Sequence, residues 1–134
     1  MLEIKPIPDP NEQIEILSRC GIIRKEGYFS YKAYEGASLL GAAQFDIESD
    51  GARIDALRQA EGTAEDFEGM FILGRAVLNF LDLCGVETAY SLTADEAERR
   101  LLKCIGFREN GDRLTATLAG MFDGHCDGHG GCGS

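Results

Sequence analysis

The chain opens on a short alternation of apolar and polar residues, "LEIKPI" at 2–7, which is the period of a strand with one buried face. Pro8 and Pro10 end it, because proline has no N–H to give to a sheet. The period then lengthens. In "PNEQIEILSRCGI" Ile14 and Leu17 recur at helical spacing with Ile16 or Cys20, and Gly21 is placed to stop a short helix. Residues 28–49 return to a period of two, with Tyr28, Ser30, Lys32 and Tyr34 on one face and Phe29, Tyr31 and Ala33 on the other. A break near Gly36 makes this two strands, and the Ser-Asp-Gly turn at 49–51 leads into a third over "ARIDALRQA". The first half predicts an antiparallel meander.

The second half mixes helices with single strands. "EGTAEDFEG" is acidic and poor in bulky apolar groups, so it reads as a loop or helix start, with Thr63 available as a cap and Asp66 three residues on. "MFILGRAVLNFLDLCG" is apolar around most of its circumference, which predicts a helix over 70–84, buried against the sheet and stopped by Gly85. "VETAYSL" is a short strand. Thr93 and Glu96 have capping-box spacing at the start of the next helix, Gly106 ends it, and "DRLTATLAGMF" forms the last strand. Glu98, Arg99 and Arg100 read as a solvated face of that helix. The expected product is one α/β domain of the α+β kind over residues 1–122: a mixed, mostly antiparallel sheet with helices on both faces.

Composition narrows what such a domain does. A chain of 134 residues suits one core, and 44% apolar with 27% charged residues is ordinary for a soluble protein. A net charge of -10 without clustered Lys and Arg excludes nucleic acid as a partner and favours a cationic one. No apolar run is long enough to span a membrane, and the first residues lack the basic and apolar regions of a leader, so the expected location is cytoplasmic. Cys20, Cys84 and Cys104 fall within segments that read as core or helix, as reduced cysteines do.

Two stretches carry a family resemblance. "GRAVLNFLDLCGVETAYSL" is similar to the pyrophosphate-binding helix and following strand of the GNAT superfamily of acyl-CoA-dependent N-acetyltransferases. "AERRLLKCIGFREN" resembles that family's late helix, its Gly-Phe turn and its final strand. The resemblance implies the GNAT-like acyl-CoA N-acyltransferase fold and transfer of an acyl group from acetyl-CoA to the amine of a small molecule or protein. It implies that Leu57, Arg58 and Gln59 meet the cofactor's pantetheine arm through backbone groups, and that Leu73, Gly74 and Arg75 lie at its pyrophosphate. In "GMFILGRA", Gly74 keeps one glycine of the family's loop, while Gly69 stands at the basic position and Ile72 at the other glycine. Glu61, Glu65, Asp66 and Glu68 crowd the same entrance. Leu102 stands where the family often has its catalytic tyrosine, which leaves Tyr90 as the candidate acid. The alternative is a non-catalytic binding module on the same fold, and an exposed sheet edge makes a homodimer possible.

The tail, residues 123–134, differs from everything before it. "DGHCDGHGGCGS" holds both histidines and two of the five cysteines. Cys126, His129 and Cys132 recur every third residue beside His125, a donor set that suits zinc or another transition metal, with Asp123 or Asp127 able to complete the shell. A frayed end and a Cys126–Cys132 disulfide are the competing expectations.

Overall fold

The computed structural model describes residues 1–122. In chain order these form β1 (Leu2–Pro6), α1 (Pro10–Arg19), β2 (Phe29–Glu35), β3 (Ser38–Glu48) and β4 (Gly51–Gln59), followed by α2 (Phe67–Leu83), β5 (Thr88–Ser91), α3 (Glu96–Ile105), β6 (Arg108–Asn110) and β7 (Arg113–Thr117). The described strands make one sheet in the order β1-β2-β3-β4-β5-β7-β6. Neighbours are antiparallel except β4 and β5, which run parallel. Among the described residues no helix is long and apolar enough to cross a membrane.

Helices cover both faces, as the pattern predicts. α2 and α3 bury Leu73, Leu78, Leu81 and Leu102 against Phe45, Ile54 and Leu114. α1 buries Ile16, Leu17 and Cys20 against Ile7, Leu39, Ala42 and Ala56 on the opposite face. Two buried amides tie the loop after α1 to the sheet. Gln44 accepts from Lys25 N at 2.9 Å and donates to the Ile23 carbonyl at 3.0 Å, while Gln13 donates to the Ile7 carbonyl at 2.7 Å and accepts from Arg24 Nε at 2.7 Å.

Both later helices begin away from their expected caps. α2 starts at Phe67, three residues before the apolar run, because Asp66 caps it by accepting from Gly69 N at 3.0 Å. α3 starts at Glu96, and Asp95 rather than Thr93 is its N-cap. β6 is an addition: its three residues are all exposed, and it turns into β7 through Gly111, whose φ of 69° suits a tight hairpin. Cys84, at the end of the helix expected over 70–84, is the exposed C-cap of α2, whereas Cys20 is buried.

Leu73 is fully buried under the sheet, at 0% exposure. Leu73→Ala is therefore expected to cost about 2–5 kcal/mol in urea unfolding, and a loss below about 1 kcal/mol would show that it does not fill the core.

Candidate active site

β4 and β5 pair at Ala52–Ala89 and Arg53–Tyr90, after which β5 ends at Ser91 and the chain turns into α3. The β4 edge beyond Arg53 therefore runs on without a strand beside it. A bulge precedes the parting: Gln44 pairs with Ala56 and Phe45 with Ile54, so Asp55 is an extra residue. The bulge changes which residues face each way. Ile54 and Leu57 join the core under α2 and α3, and Ala56 joins the one under α1.

Beside the unpaired end of β4 lies a cleft of about 450 Å³, walled by Leu57, Arg58 and Gln59 of β4, Phe67 and Met70 of α2, and Glu98, Arg100 and Leu101 of α3. A second cavity of about 290 Å³ is lined by Arg53, Asp55 and Thr93. Arg58, Asp95 and Glu98 line both. The resemblance-derived strand residues thus share one wall of the cleft.

Glu98 stands at the partition. It is 4% exposed, and its Oε2 accepts from Leu57 N at 2.7 Å while its Oε1 accepts from Thr93 Oγ1 at 2.6 Å. Arg58 Nε lies 3.5 Å from the same Oε2. A buried carboxylate persists only with partners of this kind, and a buried peptide N–H equally needs an acceptor. Glu98 is thus a buried clamp on β4, not the solvated residue that its polar neighbours suggest. Its one local signal is the Asp95-x-x-Glu98 spacing of a capping box. The cap is half used. Asp95 Oδ2 accepts from Glu98 N at 2.9 Å, but Asp95 N donates to Thr93 Oγ1 at 3.1 Å, leaving the Glu98 carboxylate to reach across to β4.

The start of α2 forms the far end of the cleft. Gln59 holds the loop before it: its amide donates to Thr63 Oγ1 at 2.9 Å and to the Ala64 carbonyl, and its oxygen accepts from Asp66 N at 3.0 Å. Leu73, Gly74 and Arg75 lie inside α2 rather than at its start. A Cβ on Gly74 would stand 2.4 Å from Ile105 Cδ1 and 3.2 Å from Leu57 Cδ2, so this glycine lets α3 and β4 approach the helix. Arg75 lies over the rings of Phe71 and Phe122, at 6.0 and 4.8 Å. Arg100 lies over Phe67 at 4.8 Å, at the cleft wall.

Cys20 also lines the cleft, but burial pushes its thiol up to about 11, which leaves little thiolate at neutral pH. Tyr90 does not line it. Tyr90 lines a cavity with Glu48 and Arg113; its hydroxyl donates to Glu48 Oε1 at 2.8 Å, and Arg113 lies 4.6 Å from its ring. Among the described residues no group of three or more His, Cys, Asp or Glu is arranged to hold a metal ion. His125, Cys126, His129 and Cys132 lie outside the described residues.

The hydrogen bond to Glu48 raises the Tyr90 hydroxyl above the usual phenol range. Removing that acceptor with Glu48→Ala is expected to bring one tyrosine back down in an ultraviolet titration, since the acceptor favours the protonated phenol. An unchanged titration curve would contradict this contact.

No family model and no curated protein matches the sequence. Solved structures do match. The ribosomal-protein-S18-alanine N-acetyltransferase of Escherichia coli shares 14% identity at a TM-score of 0.67, covering 88% of this chain and 94% of that one. A Desulfovibrio desulfuricans protein assigned to the GNAT acetyltransferase family shares 13% at 0.68, covering 88% and 99%. The PaiA N-acetyltransferase of Thermoplasma acidophilum, solved with coenzyme A, shares 13% at 0.60, covering 86% and 99%. With the parted β4 and β5 and helices on both faces, the chain has the acyl-CoA N-acyltransferase fold of the GNAT superfamily.

Proposed function

We propose that the protein is an acyl-CoA-dependent N-acyltransferase acting on an amine of a small molecule or a protein, with the cleft beside β4 as its cofactor site. The observation that carries this reading is the Leu57 N–H, which faces a cleft along a strand edge that no neighbouring strand covers. When bound, acetyl-CoA supplies an activated acyl group. Leu57 N–H, which Glu98 Oε2 holds in the free protein, is the donor that would serve the thioester carbonyl oxygen once released, and it would then stabilise the charge that grows there as an amine attacks. Leu57, Phe67, Met70 and Leu101 give the cleft apolar walls that suit a thin pantetheine arm.

The phosphates fit a different place from the one the family resemblance implies. The start of α2 is already occupied by the Asp66 carboxylate, and Glu61 and Glu65 add negative charge to the same cleft. Arg58 and Arg100 are the cations on the cleft wall, and they are the residues able to hold a phosphate there. The net charge of -10 draws a cationic amine toward the protein.

A second reading, a non-catalytic module on the same fold, has its own observation: Glu98 and Asp66 take the very donors that an acyl-CoA would use. Calorimetry separates the two. Acetyl-CoA is expected to give saturable heat and a higher melting temperature, with affinity weakened about tenfold in Arg100→Glu. No heat and no thermal shift at about millimolar cofactor would leave the non-catalytic module.

For the tail, the reading that His125, Cys126, His129 and Cys132 bind zinc or another transition metal rests on donor chemistry alone. Elemental analysis of untagged protein is expected to find bound metal that is lost when Cys126 and Cys132 become serine. Substoichiometric metal, unchanged by those substitutions, would end that reading.

A further inference from the structure

Glu98 is the one charged side chain buried among the described residues. Its own helix does not require it there, because Asp95 caps α3 and Thr93 takes the N–H that a capping-box glutamate would otherwise accept from. The carboxylate has turned away from its helix to another element. It sits on the Leu57 N–H at 2.7 Å, as a carbonyl oxygen would. One N–H cannot serve two acceptors at full strength, so Glu98 and an incoming acyl carbonyl compete for a single donor.

The carboxylate also has somewhere to go. The cavity on its other side is lined by Arg53, whose Nε is buried without a hydrogen-bond acceptor. A buried guanidinium donor left open is costly, and a carboxylate turned toward that side would satisfy it. Thr93 Oγ1, at 2.6 Å from Oε1, is the second tether that holds Glu98 in its present position.

We infer that Glu98 is a built-in closing device: in the free protein its carboxylate takes the acyl carbonyl's place on Leu57 N–H, and acyl-CoA binds only the population in which Glu98 has turned toward Arg53. This rests on the acyl-CoA reading of the cleft. It makes the acidic clamp a regulator of that site rather than a sign of its loss. Occupancy is then set by the cost of breaking the contacts to Leu57 N and Thr93.

The test is the calorimetric dissociation constant for acetyl-CoA in the wild type, Glu98→Ala, Glu98→Gln and Thr93→Val, with a melting curve for each to establish folding. Glu98→Ala is expected to bind about tenfold tighter or more, because the open form no longer competes with a closed one. Glu98→Gln should stay within about threefold of wild type, since its amide oxygen still accepts from Leu57 N–H and keeps the cleft closed. Thr93→Val should fall between them. Binding by the wild type that is no weaker than in a folded Glu98→Ala overturns the device while leaving the acyl-CoA reading in place. If Glu98→Ala does not fold, Thr93→Val decides in its stead, and an affinity equal to wild type overturns the device. Absence of binding in every folded variant removes the acyl-CoA reading, and the device falls with it.

Discussion

A single peptide donor organises the centre of this molecule. Where β4 leaves β5, the Leu57 N–H is buried on a strand edge that has run out of partners, and an unsatisfied buried donor costs about 1–3 kcal/mol. The chain answers with a carboxylate from α3. That choice explains why Glu98 is buried, why Thr93 sits beside it, and why Arg58 extends along the cleft as counter-charge. The bulge at Asp55 is the upstream cause, since it puts Leu57 rather than Ala56 on the face under α2 and α3.

The rest of the cleft follows from close approach. Gly74 brings α2 within contact of Ile105 and Leu57, and Gly69 does the same against Leu40, where an added Cβ would stand 2.5 Å from Cδ2. Helices held this near the sheet leave a narrow cleft with apolar walls. At its end, Gln59 fixes the loop before α2 and so sets Asp66 on the helix start. An anion-attracting helix end is thereby neutralised from within the chain.

Much of the fold was legible in the order of the residues. The period of two over 28–60 marks β2, β3 and β4, and the all-round apolar character of 70–84 marks a helix buried on a sheet. Helix starts were less legible, because apolar periodicity does not locate a cap: Asp66 and Asp95 decide them, and Thr63 and Thr93 were equally plausible by spacing alone. Gly74 falls inside the helix by periodicity and in the structure alike, whereas the family resemblance sets it at a helix start. Glu98 had one local signal, the Asp95-x-x-Glu98 spacing, and that points to a cap rather than to β4. Glu98, Arg99 and Arg100 make a solvated face in a local reading, and only the docking of α3 against β4, 41 residues away in sequence, turns Glu98 inward. β6 leaves no mark in the periodicity because its three residues bury nothing, although the resemblance carries "AERRLLKCIGFREN" into a strand there.

The contact between Glu98 and Leu57 is the claim on which the site depends, and amide hydrogen exchange of Leu57 in the ligand-free protein, followed by NMR, reads it directly. Exchange slower than that of amides in an exposed loop, through local opening of Glu98 rather than global unfolding, is the predicted result. Exchange as fast as that of amides in an exposed loop would mean that the β4 edge is open and that Glu98 does not hold it.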